Sequence, residues 1–214
     1  MRFYVNITGN LAVGCTTLAL QLGRLQGWNV CLERDVENPF LKAFYEDPAR
    51  WAFQNQVYFV TQSLEQHSAL LADPKLANAT VVQDYTVYDP VEVYAPAMAE
   101  LGALRAEELA ILERLFRLFT PSIRPPDVLV YLTAPLSLIF DRVKGRARPT
   151  EQAVDTRYLE ILQHRYDRFI RDWSWCPVVT IDSRSLDVGT DEEPLRAIGD
   201  VIQSHFASRM ASRG

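Results

Sequence analysis

Three things are scarce in this chain of 214 residues. Cysteine stands only at Cys15, Cys31 and Cys176, an odd and widely spaced set. Such a set builds neither a disulfide framework nor a metal-ligand pattern, and it fits a reducing cytoplasm. Positive charge is scarce too: the formal net charge is −5. That excludes a general basic field for nucleic acid or an anionic membrane, though a local cluster can still hold a phosphate. Long apolar runs are missing, so nothing approaches the roughly 20 residues of a membrane-spanning helix. Gly9 and Gly14 also interrupt the first stretch where a signal peptide needs unbroken apolar residues. There is no internal repeat and no low-complexity segment.

What is present is ordinary for a globular protein, with 48% apolar and 23% charged residues. The length suits one domain, residues 1–206, with a frayed tail at 207–214. Short β-rich runs alternate with longer helical ones. Strands are expected at Phe3–Thr8, Asn29–Glu33, Thr80–Gln83, Val128–Leu132 and Pro177–Ile181. Helices are expected at Cys15–Gln26, from Asn38 to Ala72 with a break at Asp47-Pro48, and at Val91–Leu101, Glu107–Phe119, Leu136–Val143, Arg157–Trp173 and Glu193–Phe206. The polar run Asp182–Glu193 reads as a loop. Strands separated by helices imply an α/β fold with a parallel sheet covered on both faces. Ligands in such sheets bind beyond the carboxyl ends of the strands, which selects the segments after Thr8, Glu33, Gln83 and Leu132.

One further absence is local. "GNLAVGCTT", Gly9–Thr17, follows a strand and opens a helix, as a phosphate-binding loop does. Gly9 and Gly14 allow backbone amides to converge on an anion, Thr16 suits a magnesium ion, and Thr17 suits a helix cap. The lysine that would reach the β- and γ-phosphates is replaced by Cys15. Alone, the segment fits a plain strand-turn-helix connection as well. Other segments are equally double-sided. Glu33 in "CLERD" is either a general base facing the crevice or part of a solvated cluster. Tyr45, Gln54, Gln56 and Tyr58 lie in an aromatic stretch that is either core or the wall of a pocket for a flat heterocycle. Arg142, Lys144, Arg146 and Arg148 form either a solvated turn or a lid over phosphates.

Taken in order, the glycine loop, the strand-end Glu33, "NPFLKAFYEDPARWAFQNQVYF", "VVQDYTVYD", "YLTAPLSLIFDRVKGRARPTEQ" and "YLEIL" resemble the deoxynucleoside kinase family over about residues 3–170. The resemblance implies a P-loop kinase-like three-layer fold, with a five-stranded parallel sheet flanked by helices and an Arg-rich lid at about 142–152. It implies ATP, or another NTP, with Mg²⁺, and transfer of phosphate to the 5′-hydroxyl of a deoxynucleoside. Glu33 stands where the family has its catalytic base. Tyr45 and Glu151 match the residues that hold the sugar 3′-hydroxyl, Gln56 the one that reads the base edge, and Tyr94 the aromatic that stacks on the base. Arg142, Arg146 and Arg148 match the lid arginines. A homodimer, or a heterodimer with a related kinase, is the implied assembly.

Two departures bear on activity. Cys15 replaces the loop lysine, and Tyr85 replaces the arginine of the family's "DRS" or "ERS" signature. The base-side arginine is also lost, at Ser63, and its acidic partner falls at Pro90, with Asp89 adjacent. Removing one cation that acts on a transferring phosphoryl group costs about 10²–10³ in rate, and two such losses need not add. The expectation is therefore a family member that holds nucleoside while transferring phosphate poorly. Its alternatives are a working kinase with an unusual phosphate site, a binding or regulatory subunit paired with an active relative, and an unrelated P-loop-like structural protein.

Overall fold

The structure is a computed structural model, and it describes residues 3–33, 38–146, 154–186 and 192–211. Five parallel strands form one sheet in the order β2-β3-β1-β4-β5. They are β1 (Tyr4–Gly9), β2 (Asn29–Cys31), β3 (Val81–Asp84), β4 (Val128–Thr133) and β5 (Val178–Asp182). The chain steps from β1 to one side for β2 and β3, then returns to the other side for β4. The carboxyl end of β1 is therefore the point where strand order reverses and a crevice opens.

β4 illustrates why the sheet is buried on both faces. Leu129 and Tyr131 pack into one core, while Val128, Val130 and Leu132 pack into the other. The alternation follows from the two-residue repeat of a strand. On the first face lie α3 (Pro48–Ala72), α4 (Ala95–Glu100), α5 (Ala106–Phe119) and α7 (Thr156–Asp172). On the second lie α1 (Cys15–Gln26), α6 (Leu136–Arg146) and α8 (Glu193–Ala211). A short α2 (Leu41–Glu46) precedes α3. β1 buries polar residues on one face, and these are bonded: Tyr4 Oη donates to Gln83 Oε1 at 2.5 Å and Thr8 Oγ1 to Asp89 Oδ1 at 2.6 Å.

Most element boundaries follow local chemistry. Asp47 caps α3 by accepting from Arg50 N at 3.2 Å, and Pro48 occupies the first turn, where its missing N–H costs nothing. Asp155 caps α7 through Tyr158 N in the same way. α1 ends at Gly27, whose φ of 69° is the left-handed conformation glycine adopts freely.

Several limits differ from the sequence-based expectation. β2 stops at Cys31, its last residue paired with β3, so Glu33 lies beyond the strand. The segment expected as one helix from Val91 opens as a wide π-turn over Pro90–Tyr94, because Pro96 has no N–H to continue the α register backwards. α6 reaches Arg146, and α8 runs through Ala211, so part of the expected tail is helical. The loop after β5 contains a 3₁₀ turn over Ser183–Leu186. No helix among the described residues is long and apolar enough to cross a membrane.

Candidate active site

The glycine loop leaves β1 at the reversal point. A Cβ on Gly9 would meet the Leu132 carbonyl oxygen at 2.5 Å, so the close approach to β4 needs glycine. Gly14, with φ of 115°, is the N-cap of α1. Thr17 is therefore inside the first turn, and the expected cap role for it is not found: no side chain caps this helix. The first amides of α1 are left without a side-chain acceptor. The loop is anchored from two sides. Asn10 Nδ2 donates to Leu159 O on α7 at 3.0 Å, and Arg142 Nη1 donates to Val13 O at 3.0 Å and Ser183 Oγ at 2.9 Å.

Cys15, the first residue of α1, is half-buried. Burial pushes its thiol well up, and the nearby negative charges of Asp89, Asp84 and Glu33 push the same way. It stays a neutral thiol, so this position supplies no charge of either sign.

Next to it, Thr16 Oγ1 donates to Asp84 Oδ2 at 2.6 Å, and Glu33 N donates to Asp84 Oδ1 at 2.7 Å. Asp84 ends β3 and is buried, and it brings together residues from three segments. Tyr85 follows with a φ of 67°, unusual for a side chain other than glycine. Burial, and then the charge of Glu33, hold its phenol neutral. Its ring lies 6.0 Å from that of Tyr94.

A single cavity of about 1150 Å³ runs past these groups. Gly9, Gly14, Cys15, Thr16, Thr17 and Glu33 line it. So do Tyr45, Gln56 and Tyr94, and from α6 Arg142 and Arg146. Gln56 is 3% exposed, and its Oε1 has no hydrogen-bond partner in the protein. Gln54 and Tyr58, expected on the same wall, instead border a separate apolar groove formed by one face of α3 and Phe40. The helical period turns them away from Gln56. Arg148 and Glu151 lie outside the described residues, as does the rest of the lid between 147 and 153.

The base-side pair is absent in structure as well as in sequence. Ser63 Oγ donates to Val60 O at 3.0 Å within its own helix. Asp89 does not shift into the acidic role: its carboxylate is taken up by Thr8 and by the Thr86 backbone N–H. Sequence reasoning missed Asn55, Tyr158 and Tyr166, which also line the cavity. Their signal was weak, because a tyrosine or asparagine on an amphipathic helix reads as packing.

Comparison with known proteins agrees with this geometry. The family model for deoxynucleoside kinase matches residues 5–206. A deoxyadenosine/deoxycytidine kinase of Bacillus subtilis is 30% identical over 202 residues, covering 94% of this chain and 91% of that protein. A deoxyguanosine kinase of the same organism is 27% identical over 188 residues, covering 86% and 88%. The structure of a deoxyadenosine kinase from M. mycoides with bound dATP superposes with a TM-score of 0.78, over 95% of this chain and 100% of that one, at 20% identity. That likeness speaks to the fold, and the family match sets aside an unrelated structural protein. This chain, with its five-stranded parallel sheet and glycine loop at the strand reversal, belongs to the deoxynucleoside kinase family.

Proposed function

We propose that this chain binds a deoxynucleoside and transfers phosphate from ATP to its 5′-hydroxyl, with catalysis weakened by the loss of two cations. The observation that carries the reading is the Thr16–Asp84–Glu33 cluster on the wall of the cavity that Gln56, Tyr45 and Tyr94 also line. Glu33 takes the 5′-hydroxyl proton as that oxygen bonds to the γ-phosphorus, and the bond to the β,γ-bridging oxygen breaks to release ADP. Tyr45 and Glu151 hold the sugar, Gln56 meets the base edge, and Tyr94 presents a ring to its face. Arg142, Arg146 and Arg148 approach the donor phosphates from the lid side.

Thr16 and Asp84 would hold Mg²⁺: a hydroxyl and a carboxylate are hard oxygen ligands that suit it beside nucleotide phosphates. No group of three His, Cys, Asp or Glu among the described residues offers a different metal site. When bound, the ion neutralises phosphate charge. The three free cysteines support a reducing, cytoplasmic setting. The exposed apolar residues Ile111 and Leu118 on α5 (54% and 72%) support a dimer, of two copies or with a related kinase.

A specific observation favours a second reading, in which the chain is a binding or regulatory subunit beside an active relative. Both replaced cations, at Cys15 and Tyr85, are neutral groups here. The deciding experiment incubates the protein with ATP, Mg²⁺ and each of the four deoxynucleosides and measures 5′-monophosphate. Slow turnover lost in Glu33→Gln supports the weakened kinase. Turnover at ordinary kinase rates, lost in the same variant, overturns the impairment. Binding of nucleoside with no turnover establishes the subunit reading.

A further inference from the structure

The peptide that joins Leu32 to Glu33 lies just past Cys31, where the pairing of β2 with β3 stops. Both of its polar groups are nevertheless taken by buried side chains. Its carbonyl, Leu32 O, accepts from Gln66 Nε2 on α3 at 2.6 Å. Its N–H, on Glu33, donates to Asp84 Oδ1 at the end of β3 at 2.7 Å. A carbonyl only accepts, so Gln66 must present its amide nitrogen here. The same nitrogen lies 3.3 Å from Cys31 Sγ. α3 is firmly seated at this point, because Leu70, one turn beyond Gln66, packs in a buried cluster with Tyr4 and Val81.

A planar peptide gripped on both edges does not turn freely, and its orientation sets where the Glu33 Cα sits. Strand pairing does this inside the sheet; at residue 33 two side chains replace it. We propose that Gln66 is a positioning residue for Glu33: with Asp84 it fixes the backbone from which the general base reaches the 5′-hydroxyl. Asp84 also accepts from Thr16, so it does not serve Glu33 alone. Gln66 is not among the residues that line the cavity, so its effect on the reaction passes through the peptide it holds. About three turns earlier on the same stripe of α3, Asn55 Oδ1 accepts from Asn38 Nδ2 at 2.7 Å. One helix thus holds the chain at Leu32 and again at Asn38, and it carries Gln56 beside Asn55. Loss of the Gln66 donor frees one edge of the peptide. A small displacement of the general base then slows the reaction without touching the nucleoside contacts. The inference rests on the reading of Glu33 as that base.

The test compares the wild type with Gln66→Met, which keeps the length of the side chain and removes its donor. Turnover is measured with ATP, Mg²⁺ and whichever of the four deoxynucleosides reacts fastest, and amide hydrogen exchange is followed by NMR. Gln66→Met is expected to lower kcat about 10-fold and to leave KM for both substrates within about 2-fold. Exchange of the Glu33 N–H is expected to speed up while that of Gln56 stays as in the wild type. A purely structural role for Gln66 would loosen α3 and move KM and the Gln56 exchange as well. If Gln66→Met fails to fold by thermal melting, Gln66→Glu decides with the same expected outcome, because it keeps the shape and sets an acceptor against Leu32 O. An unchanged kcat, a loss carried by KM, or unchanged exchange at Glu33 overturns the proposal. A wild-type chain without turnover overturns the kinase reading instead, and this one with it.

Discussion

Thr16 Oγ1 donates to Asp84 Oδ2 at 2.6 Å, so the first turn of α1 and the end of β3 share one buried carboxylate. The other oxygen of that carboxylate accepts Glu33 N at 2.7 Å. With Cys15 neutral, the loop region has acids and no cation at the lysine position.

Nucleotide binding should therefore depend on a divalent ion more steeply than in a chain with the lysine. ATP titrated calorimetrically in Mg²⁺ and then in excess chelator is expected to lose about 10²-fold in affinity, with Asp84→Asn flattening the difference. Equal affinities in the two conditions would remove the metal role of Thr16 and Asp84.

Restoring the cations should restore rate. Cys15→Lys with Tyr85→Arg is expected to raise kcat by about 10² or more, and Glu33→Gln in that background to abolish the gain. The left-handed backbone at residue 85 burdens arginine no more than tyrosine, so the substitution adds no new strain. A double variant as slow as the wild type would show that further parts of the site have drifted.

Base discrimination should be shallow. Ser63 Oγ is turned back to Val60 O and Asp89 is engaged by Thr8, so in the proposed complex the Gln56 amide is the group that meets the base edge. An amide can present either its acceptor or its donor, so it serves amine-bearing and carbonyl-bearing bases alike. Affinities for the four deoxynucleosides are expected to fall within about 10-fold of one another, and Gln56→Leu to weaken all of them. A preference of about 10⁴ for one base would contradict this.

Two buried groups give stability opposite pH slopes. Burial raises the Asp89 carboxyl from 3.8 to about 6, so its contribution is full below 3.8 and is lost as pH rises through 6. Burial, with Arg124 adding to it, lowers His67 from 6.5 to about 4, so its contribution is full above 6.5 and is lost as pH falls through 4. Each shift corresponds to roughly 3 kcal/mol, and the two nearly cancel between pH 4 and 6.5. Melting curves of Asp89→Asn should rise with pH across this window, and those of His67→Gln should fall. At about 2–4 °C per kcal/mol the tilt is measurable by scanning calorimetry, and parallel curves for the two variants would refute it.

Much of this architecture was legible in the residues. The apolar run Val128–Leu132 read as a strand buried on both faces, and Asp47-Pro48 as a break in a helical stretch, which the structure shows to be the capped start of α3. The loop "GNLAVGCTT" was readable by spacing, and its departures at Cys15 and Tyr85 by comparison of motifs. What failed was local. Thr17 looked like a cap, but the glycine before Cys15 already ends the turn, and Pro96 widened a helix that its apolar pattern presented as regular.

Short-range chemistry decided the strands, the helices and the residue types available to the site, because hydrophobic period, capping and proline act within a few positions. Which partner each buried polar group took was decided by packing between segments far apart in the chain. Thr8 meets Asp89 across 81 positions and Thr16 meets Asp84 across 68. No spacing rule spans those distances. A buried carboxylate takes whichever donors the closed sheet brings within reach, and only the tertiary structure could show that Asp89 takes Thr8 and the Thr86 N–H as its donors.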